Sequence, residues 1–175
     1  MSALLKTVFI NGTVGVGKST VAQAISGCNV RAERPHAVID LDYIRSCWPA
    51  PENDPFNFTL ELENLNSLAE NYRRAGIEHL IVVGVAETAE AVEKYRDATQ
   101  SPDLMMCRLT AKPEIVAARL RDRHRDDPTE LGWHLARAVE LTSILDAAEV
   151  DDVVLDTTEV EPHDVACSVM SATGW

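Results

Sequence analysis

The 175-residue chain has no long apolar run and no excess of basic residues. A helix that spans a membrane needs about 20 consecutive apolar residues, so the chain is not expected to cross one. It enters an apolar strand pattern within a few residues of Met1, without the pattern of a secretory leader. We therefore expect a cytoplasmic protein.

Cysteine pairs of the C-x-x-C type are also missing. The four cysteines are scattered: Cys28, Cys47, Cys107 and Cys167. This spacing argues against structural zinc and against a disulfide framework, and it favours buried or idle thiols. The net charge of −12 argues against nucleic acid or an anionic membrane as the main partner. The charge does not argue against a phosphorylated substrate, because an acidic protein can still have a local basic cleft.

The composition is that of an ordinary globular domain, with 46% hydrophobic and 25% charged residues. We find no repeat, no low-complexity tract and no dividing linker. The chain is therefore expected to form a single domain over residues 1–175, as a monomer or homodimer, with a small molecule as its partner.

Short apolar runs alternate with stretches of helical periodicity. The predicted strands lie at residues 8–10, 37–39, 79–83, 104–109 and 153–155. The predicted helices lie at residues 57–74, 88–98, 113–123 and 133–147, with one after residue 19 and one from residue 162. This alternation predicts an α/β fold with a parallel sheet covered by helices on both faces.

The most informative stretch is GTVGVGKS at residues 12–19, which fits the phosphate-binding pattern G-x-x-x-x-G-K-[ST]. An apolar strand precedes it and a helix follows, which is the context that this loop requires. The alternative, a glycine-rich turn with an incidental lysine, does not account for that context.

Each part of this P-loop has a physical task. Glycines let the backbone wrap closely around phosphate oxygens, and the N–H groups of the loop and helix point at them. Lys18 supplies a positive charge for the β- and γ-phosphates, and the hydroxyl of Ser19 is placed to bind Mg²⁺. The predicted nucleotide-binding residues of the loop are Gly12, Gly15, Val16, Gly17, Lys18 and Ser19.

A second cluster follows the second strand, in the sequence IDLDYIR at residues 39–45. Ligands of open α/β sheets bind at the carboxyl ends of strands, so Asp40 and Asp42 should face the P-loop. Asp40 can orient or deprotonate a substrate hydroxyl, or hold Mg²⁺. Asp42 and Arg45 are predicted to bind the substrate, Arg45 through an anionic group. The alternative is that Asp42 only caps a helix.

Four arginines occupy alternate positions from residue 119 to residue 125. On a helix, Arg119 and Arg123 share one face. From there they can neutralise charge on a transferred phosphoryl group, and we assign Arg123 a catalytic role. A charged, exposed helix end is the alternative and is favoured for Arg121. Arg137, in the next helix, is a further candidate for the site.

Two segments are predicted to close the site. Residues 124–131 are the best candidate for a mobile lid, and residues 42–75 for the substrate-binding region. Within the latter, Trp48, Phe56 and Phe58 offer apolar faces to an organic acceptor. A proline-stiffened loop whose aromatics pack on the core explains the same segment equally well.

Two further patterns are missing. Many P-loop proteins carry an aspartate after the third strand that helps to anchor Mg²⁺, but here the chain reads VVGVAE at residues 82–87. Either Asp40 carries that duty, which we favour, or Glu87 does. There is also no guanine-reading N-K-x-D segment, so ATP is preferred over GTP.

The P-loop, the acidic motif and the R-x-x-x-R pair together resemble the small P-loop kinases of the nucleoside monophosphate kinase-like group. Residues 39–45 are similar to the LDGDNVR segment of adenylylsulfate kinases, with Leu41 in place of the glycine. Gluconate-, shikimate- and antibiotic-phosphorylating kinases share the frame. The resemblance implies a three-layer fold with a five-stranded sheet in the order 2-3-1-4-5. It also implies that Thr20 adjoins the α-phosphate, that Arg119 stacks on adenine, and that Thr158 lies in a loop lining adenine.

These observations predict an ATP- and Mg²⁺-dependent kinase that acts on a hydroxyl of a small molecule. Lys18, Asp40 and Arg123 would be its catalytic residues, with Ser19 and Asp40 at the metal. A nucleotide-binding regulatory module with little catalysis is the alternative from a different class. A simple NTPase is the third.

Overall fold

The computed structural model describes residues 5–54 and 56–175. Five strands form one parallel sheet: β1 (Lys6–Asn11), β2 (His36–Asp40), β3 (His79–Val83), β4 (Met105–Thr110) and β5 (Val153–Asp156). Their order is β2-β3-β1-β4-β5, which confirms the predicted topology. This order places the carboxyl ends of β1 and β3 side by side, with β2 beyond β3, and opens a cleft above them.

Within the described residues, seven helices connect and cover the strands. They are α1 (Lys18–Arg31), α2 (Leu41–Ile44), α3 (Phe58–Arg74), α4 (Ala89–Thr99), α5 (Pro113–Arg123), α6 (Pro128–Ala148) and α7 (Pro162–Thr173). Among the described residues, no helix is long and apolar enough to cross a membrane.

The core consists of two apolar clusters, one on each face of the sheet. Val8 and Ile10 of β1 point to the first cluster, where α1, α5 and α7 contribute apolar side chains. Phe9, between them, points to the second cluster, which is built with α3 and α4. Successive residues of a strand face opposite sides, so one buried strand serves both clusters. The result is the predicted three-layer arrangement.

The predicted start of the sixth helix was wrong. The helical periodicity predicts that this helix begins at residue 133, beyond Asp126-Asp127-Pro128. In the structure α6 begins at Pro128, and the side chain of Asp127 accepts a hydrogen bond from the backbone N–H of Glu130. Proline is favoured at the first helical position and aspartate at the N-cap, so this sequence starts a helix.

Candidate functional site

The P-loop connects β1 to α1, and its glycines are required for two reasons. Gly12, Gly15 and Gly17 all have positive φ, at 134°, 85° and 98°. At Gly12 a Cβ would lie 2.5 Å from the carbonyl oxygen of Leu109 in β4. At Gly17 nothing crowds the position, and only the backbone angle calls for glycine. Close packing on β4 therefore fixes the start of the loop, and backbone conformation fixes its end.

Lys18 lies at the beginning of α1 and points back along the loop. Its Nζ donates hydrogen bonds to the carbonyl oxygens of Gly12 and Thr13, at 2.7 and 3.0 Å. Burial lowers the pKa of Lys18 to about 8, against the opposing effect of the carboxylates of Asp42 and Asp40. A phosphate bound in the loop would favour the protonated, positively charged form of Lys18.

Ser19 and Asp40 meet across the cleft. The Ser19 hydroxyl donates a hydrogen bond of 3.0 Å to Oδ2 of Asp40, which joins the end of the P-loop to the end of β2. The other oxygen, Oδ1, accepts the backbone N–H of Asp42 at 3.1 Å and caps α2. The capping residue is therefore Asp40, and the prediction of a capping role for Asp42 was wrong. A hydroxyl and a carboxylate are oxygen ligands of the kind that Mg²⁺ prefers, so this pair fits the ion.

A cleft of about 880 Å³ opens above the carboxyl ends of the strands. It brings together nine of the predicted site residues: Gly15, Gly17, Lys18, Ser19, Thr20, Asp40, Asp42, Arg45 and Arg123. Four others lie outside its lining: Gly12, Val16, Arg119 and Thr158. The residues predicted to bind phosphate and those predicted to bind the acceptor thus share one cavity.

Arg119 joins the P-loop to the segment after β5. Its Nη1 donates to the carbonyl oxygen of Val16 at 3.2 Å, and its Nη2 donates to that of Thr157 at 2.8 Å. The hydroxyl of Thr157 donates to the same Val16 oxygen at 2.9 Å. Thr158 is held separately, because its hydroxyl oxygen accepts the N–H of Lys112. These contacts position the loop; the adenine contacts expected of Arg119 and Thr158 stay predictions.

Arg123 lies one helical turn beyond Arg119 and lines the cleft. It is exposed, and no ion pair involves it within the described part of the chain. Its charge adds to the lowering of the Lys18 pKa that burial causes, and both cations line the same cavity. Arg121 is exposed and lies outside the cleft lining, as expected for the solvated face of α5.

Residues 8–144 match a family described as the AAA domain, which is more than half of the chain. The chain belongs to the AAA domain family. A comparison with curated proteins finds no match for the sequence. The family match and the cleft geometry agree on a P-loop domain.

Solved structures share the fold of this AAA domain. A gluconokinase from Sinorhizobium meliloti 1021 superposes with a TM-score of 0.64 at 17% identity, over 98% of this chain and 93% of the other. The APS kinase of Mycobacterium tuberculosis in complex with AMPPNP and APS gives 0.61 at 22%, over 99% of both. A shikimate kinase from Acinetobacter baumannii in complex with shikimate gives 0.64 at 18%, over 96% and 92%. The predicted resemblance to small P-loop kinases is confirmed at the level of the fold.

One part of the AAA domain's cleft was not anticipated from the sequence. Arg45 forms ion pairs with Asp42 and with Oε2 of Glu61, the latter at 3.5 Å. Only 1% of the Glu61 side chain is exposed, and its Oε1 accepts a hydrogen bond of 2.6 Å from the hydroxyl of Tyr95. Burial raises the pKa of Glu61, although Tyr95 and Arg45 both favour the ionised form. Arg45 is therefore held from beneath by a buried acid.

A signal for Glu61 exists in the sequence. It lies four residues before Leu65 and eight before Ala69, which are the buried apolar positions of α3. An ionisable residue on the buried face of an amphipathic helix needs a partner inside the protein. The spacing alone identifies the buried acid but not Arg45 or Tyr95 as its partners.

Arg137 reaches back to the cleft, as its position in the next helix suggested. Its guanidinium pairs with Glu87 after β3 and, at 2.8 Å, with Glu140 of α6. It also lies 5.9 Å from the ring centroid of Phe56. Glu87 is thus engaged by an arginine, which leaves Asp40 as the carboxylate that contacts Ser19.

The position after β3 has no room for a side chain. At Gly84 a Cβ would lie 2.5 Å from Cδ1 of Leu41 and 3.1 Å from the ring of Phe9. Leu41 is 1% exposed and occupies the space next to Asp40. The missing third-strand aspartate and the leucine in place of glycine are therefore two aspects of one packing arrangement.

The segment at residues 48–58 divides between the two interpretations. Phe56 and Phe58 line the cleft, whereas Trp48 is 93% exposed and does not. Asn57 donates to the carbonyl oxygens of Arg45 and Cys47 and so holds the loop itself. Pro55, part of the same prediction, lies outside the described residues.

The segment predicted as a lid is only partly a loop. Residues 124–127 form the turn between α5 and α6, and the remaining residues belong to the first turn of α6. The rings of His124 and His134 stack across this turn, with centroids 4.4 Å apart. A lid role for residues 124–131 stays a prediction.

Proposed function

We propose that the protein is an ATP- and Mg²⁺-dependent phosphotransferase that acts on a hydroxyl group of a small molecule. The observation that carries this proposal is the shared cleft, in which Lys18 and Ser19 of the P-loop face Asp40, Asp42 and Arg45 across one cavity. A donor phosphate and an acceptor hydroxyl would meet in this cavity.

The residues divide the work between them. Lys18 and the loop N–H groups would bind the β- and γ-phosphates, and Arg123 would add positive charge where the phosphoryl group moves. Ser19 and Asp40 would hold Mg²⁺, which supplies further neutralisation of phosphate charge when bound. Oδ2 of Asp40 is also the carboxylate oxygen placed to orient or deprotonate an acceptor hydroxyl, since Oδ1 caps α2.

The acceptor would occupy the part of the cleft bounded by Phe56, Phe58 and Arg45. An aromatic wall beside a guanidinium suits an organic molecule that carries an anionic group. Solved structures of similar fold are named as a gluconokinase, a shikimate kinase with shikimate and an APS kinase with APS. These structures are 22% identical or less to the chain, so their names indicate which acceptors to test first. They do not identify the acceptor of this chain.

The proposal is tested by measuring ADP release with ATP, Mg²⁺ and a panel of acceptors. The panel contains gluconate, shikimate, APS, other sugars, nucleosides and aminoglycosides. At least one acceptor should stimulate ADP release and appear as a phosphorylated product by mass spectrometry. Tight ATP binding with no stimulation across the panel would count against a kinase.

A regulatory P-loop module with little catalysis is the second candidate. The described chain has no carboxylate directly after β3, where Gly84 leaves no room for a side chain. Mg²⁺ binding would then depend on Asp40, the strand-end acid that contacts Ser19, and a weaker metal site favours a module with little catalysis. Such a module would bind ATP with no acceptor-stimulated turnover. ADP release that no acceptor changes would instead indicate a simple NTPase.

A further inference from the structure

Three side chains with soft ligand atoms meet between two helices, at positions outside the cleft lining. They are Cys28 of α1 and His163 and Cys167 of α7, and one ligand atom of each lies within 4.8 Å of the others. Cys28 and His163 are 135 residues apart in the chain, so no sequence spacing joins them. We propose that these three residues bind a divalent metal ion of the zinc class.

The distances suit such an ion. Sγ of Cys28 lies 3.8 Å from Nδ1 of His163, and Sγ of Cys167 lies 3.7 Å from Nε2 of the same ring. Around a tetrahedral ion with Zn–S of about 2.3 Å and Zn–N of about 2.0 Å, ligand atoms are roughly 3.5–3.8 Å apart. The two sulfurs face different nitrogens of the ring, so binding of one ion requires the exposed His163 side chain to turn until a single nitrogen faces both.

The chemistry of the donor set favours a soft or borderline ion. Two thiolates and an imidazole are the ligands that Zn²⁺ takes in proteins, whereas Mg²⁺ and Ca²⁺ take oxygen. Both cysteines are free thiols. Binding would release the proton of each thiol that is not already ionised, and the metal–sulfur bonds replace the S–H bonds. With three protein ligands, water completes the tetrahedron.

Arg31 adds a further contact to the cluster. Its Nη2 donates to Sγ of Cys28 at 3.1 Å. Hydrogen bonds from outside the ligand set orient the ligands of metal sites. The contact with Arg31 therefore positions the Cys28 sulfur at the cluster.

The two helices that carry the ligands are packed together without the metal. Val165 and Ala166 of α7 are buried in the same apolar cluster as Ile25 of α1. Cys28 lies one turn beyond Ile25, and His163 and Cys167 are four residues apart on one helix face. The ion would therefore bind between helices that are already packed, and would link α1 to α7.

The site is distinct from the nucleotide cleft. Cys28 lies ten residues beyond Lys18, which is about 15 Å along the axis of α1. None of the three ligands lines the cleft. The proposal thus does not depend on the proposed kinase activity, and its test requires neither ATP nor an acceptor.

The experiment uses the full chain without a histidine tag, reduced and stripped of metal with a chelator. Zn²⁺ is titrated in competition with a chromophoric chelator, and Co²⁺ is titrated separately to record the thiolate-to-metal absorption band. The variants are Cys28→Ser, His163→Ala and Cys167→Ser. Cys47→Ser is the matched control, because Cys47 is exposed and outside the cluster.

We expect one Zn²⁺ per chain in the wild type and in Cys47→Ser, with a thiolate band for Co²⁺. Changes near a metal's ligands already cost about 10–100-fold in affinity, so loss of a ligand should weaken binding by about 100-fold or more in each of the three variants. Circular dichroism of the metal-free variants checks that each is folded. The proposal is overturned if the reduced wild type does not bind one ion per chain. It is also overturned if the three variants bind Zn²⁺ as tightly as the wild type does. A third outcome also overturns it: the reduced chain binds no ion, and Cys28 and Cys167 form a disulfide in air.

Discussion

The hydroxyl of Ser19 donates a 3.0 Å hydrogen bond to Oδ2 of Asp40, and this contact joins the P-loop to the end of β2. It places the hydroxyl proposed to bind Mg²⁺ against the carboxylate proposed to act on the acceptor. One side chain, Asp40, therefore belongs to both halves of the cleft. Since its other oxygen caps α2, its position is fixed by local structure.

Asp40→Asn should separate catalysis from folding. Asparagine caps helices about as well as aspartate, so stability should change little. The carboxylate that would hold Mg²⁺ and act on the hydroxyl is lost, and we expect acceptor-stimulated turnover to fall by about 10²–10⁴-fold. ATP affinity without Mg²⁺ should change only a few-fold. Steady-state kinetics and fluorescent-nucleotide binding measure the two quantities.

Asp42→Asn is the control for this prediction, because Asp42 is exposed and pairs with Arg45 instead of Ser19. It should affect the acceptor KM more than kcat. Equal losses of turnover and of ATP binding in Asp40→Asn would favour the regulatory module.

The lowered pKa of Lys18 predicts that ATP binding weakens in alkaline solution. With a pKa of about 8, Lys18 is mostly charged at pH 7 and mostly neutral at pH 9. Bound phosphate favours the charged form, so binding takes up a proton, and affinity should fall by up to about tenfold per pH unit above pH 8. Titration calorimetry between pH 7 and 9, in buffers of different ionisation enthalpy, measures the proton uptake.

Lys18→Met removes the titrating group and supplies the comparison. Its ATP affinity should be lower than that of the wild type at pH 7 and nearly independent of pH up to pH 9. An unchanged slope in this variant would assign the pH dependence to another group.

How far the sequence predicts this molecule depends on how local each feature is. The P-loop is contiguous, so its residues and backbone requirements are all present in one stretch, and the resemblance to small kinases supplied the strand order. Arg119 shares a helix face with Arg123, as the spacing predicts, but its partner Thr157 is 38 residues away and was not foreseen. The ion pair of Arg45 with Glu61 likewise joins side chains that only α3 packing brings together. Contacts of this kind leave no periodic pattern in the chain.

Arg119→Ala should destabilise the domain and the P-loop together. The guanidinium is partly buried and makes three hydrogen bonds that join Val16 to Thr157. Hydrogen bonds that involve a charged group are worth about 1.5–3 kcal/mol, and the free energy of unfolding in urea should fall by about that amount. ATP affinity should also fall, because the loop loses a fixed neighbour.

Arg121→Ala on the same helix is the matched control for Arg119. Its side chain is exposed, so the free energy of unfolding should change by no more than about 0.5 kcal/mol. Equal unfolding curves for the two variants would mean that the Arg119 contacts contribute nothing to stability.

Tyr95→Phe should cost stability in a pH-dependent way. It removes the hydroxyl that donates to the buried Glu61, a loss of about 1–3 kcal/mol when the carboxylate is ionised. Burial raises the pKa of Glu61 in the folded protein above that of a glutamate in the unfolded chain. The free-energy cost of burying the ionised carboxylate is therefore present in full at pH values above the pKa of the folded state. As the pH falls through that pKa, Glu61 becomes protonated and the loss caused by Tyr95→Phe should shrink.

Urea unfolding at several pH values measures this loss, with Tyr72→Phe as the control. Tyr72 lies on α3, the helix of Glu61, and makes no hydrogen bond through its hydroxyl with the described residues. Its variant should show neither the loss nor the pH dependence. A loss in Tyr95→Phe that is constant with pH would place the cost in packing, not in the hydrogen bond to Glu61.

Gly84→Ala should show that Leu41 excludes a side chain from the end of β3. The added methyl would lie 2.5 Å from Cδ1 of Leu41 in the buried core, and overpacking of this kind typically costs about 1–3 kcal/mol. The cost should be smaller in a Leu41→Ala background, where the space is open, and a double-mutant cycle of unfolding free energies measures the difference.

Gly132→Ala is the matched control: nothing lies within 4 Å of its added methyl, and on the exposed surface of α6 alanine should stabilise by up to about 1 kcal/mol. If Gly84→Ala costs the same in both backgrounds, Leu41 does not exclude the side chain. The missing third-strand carboxylate would then need another physical reason.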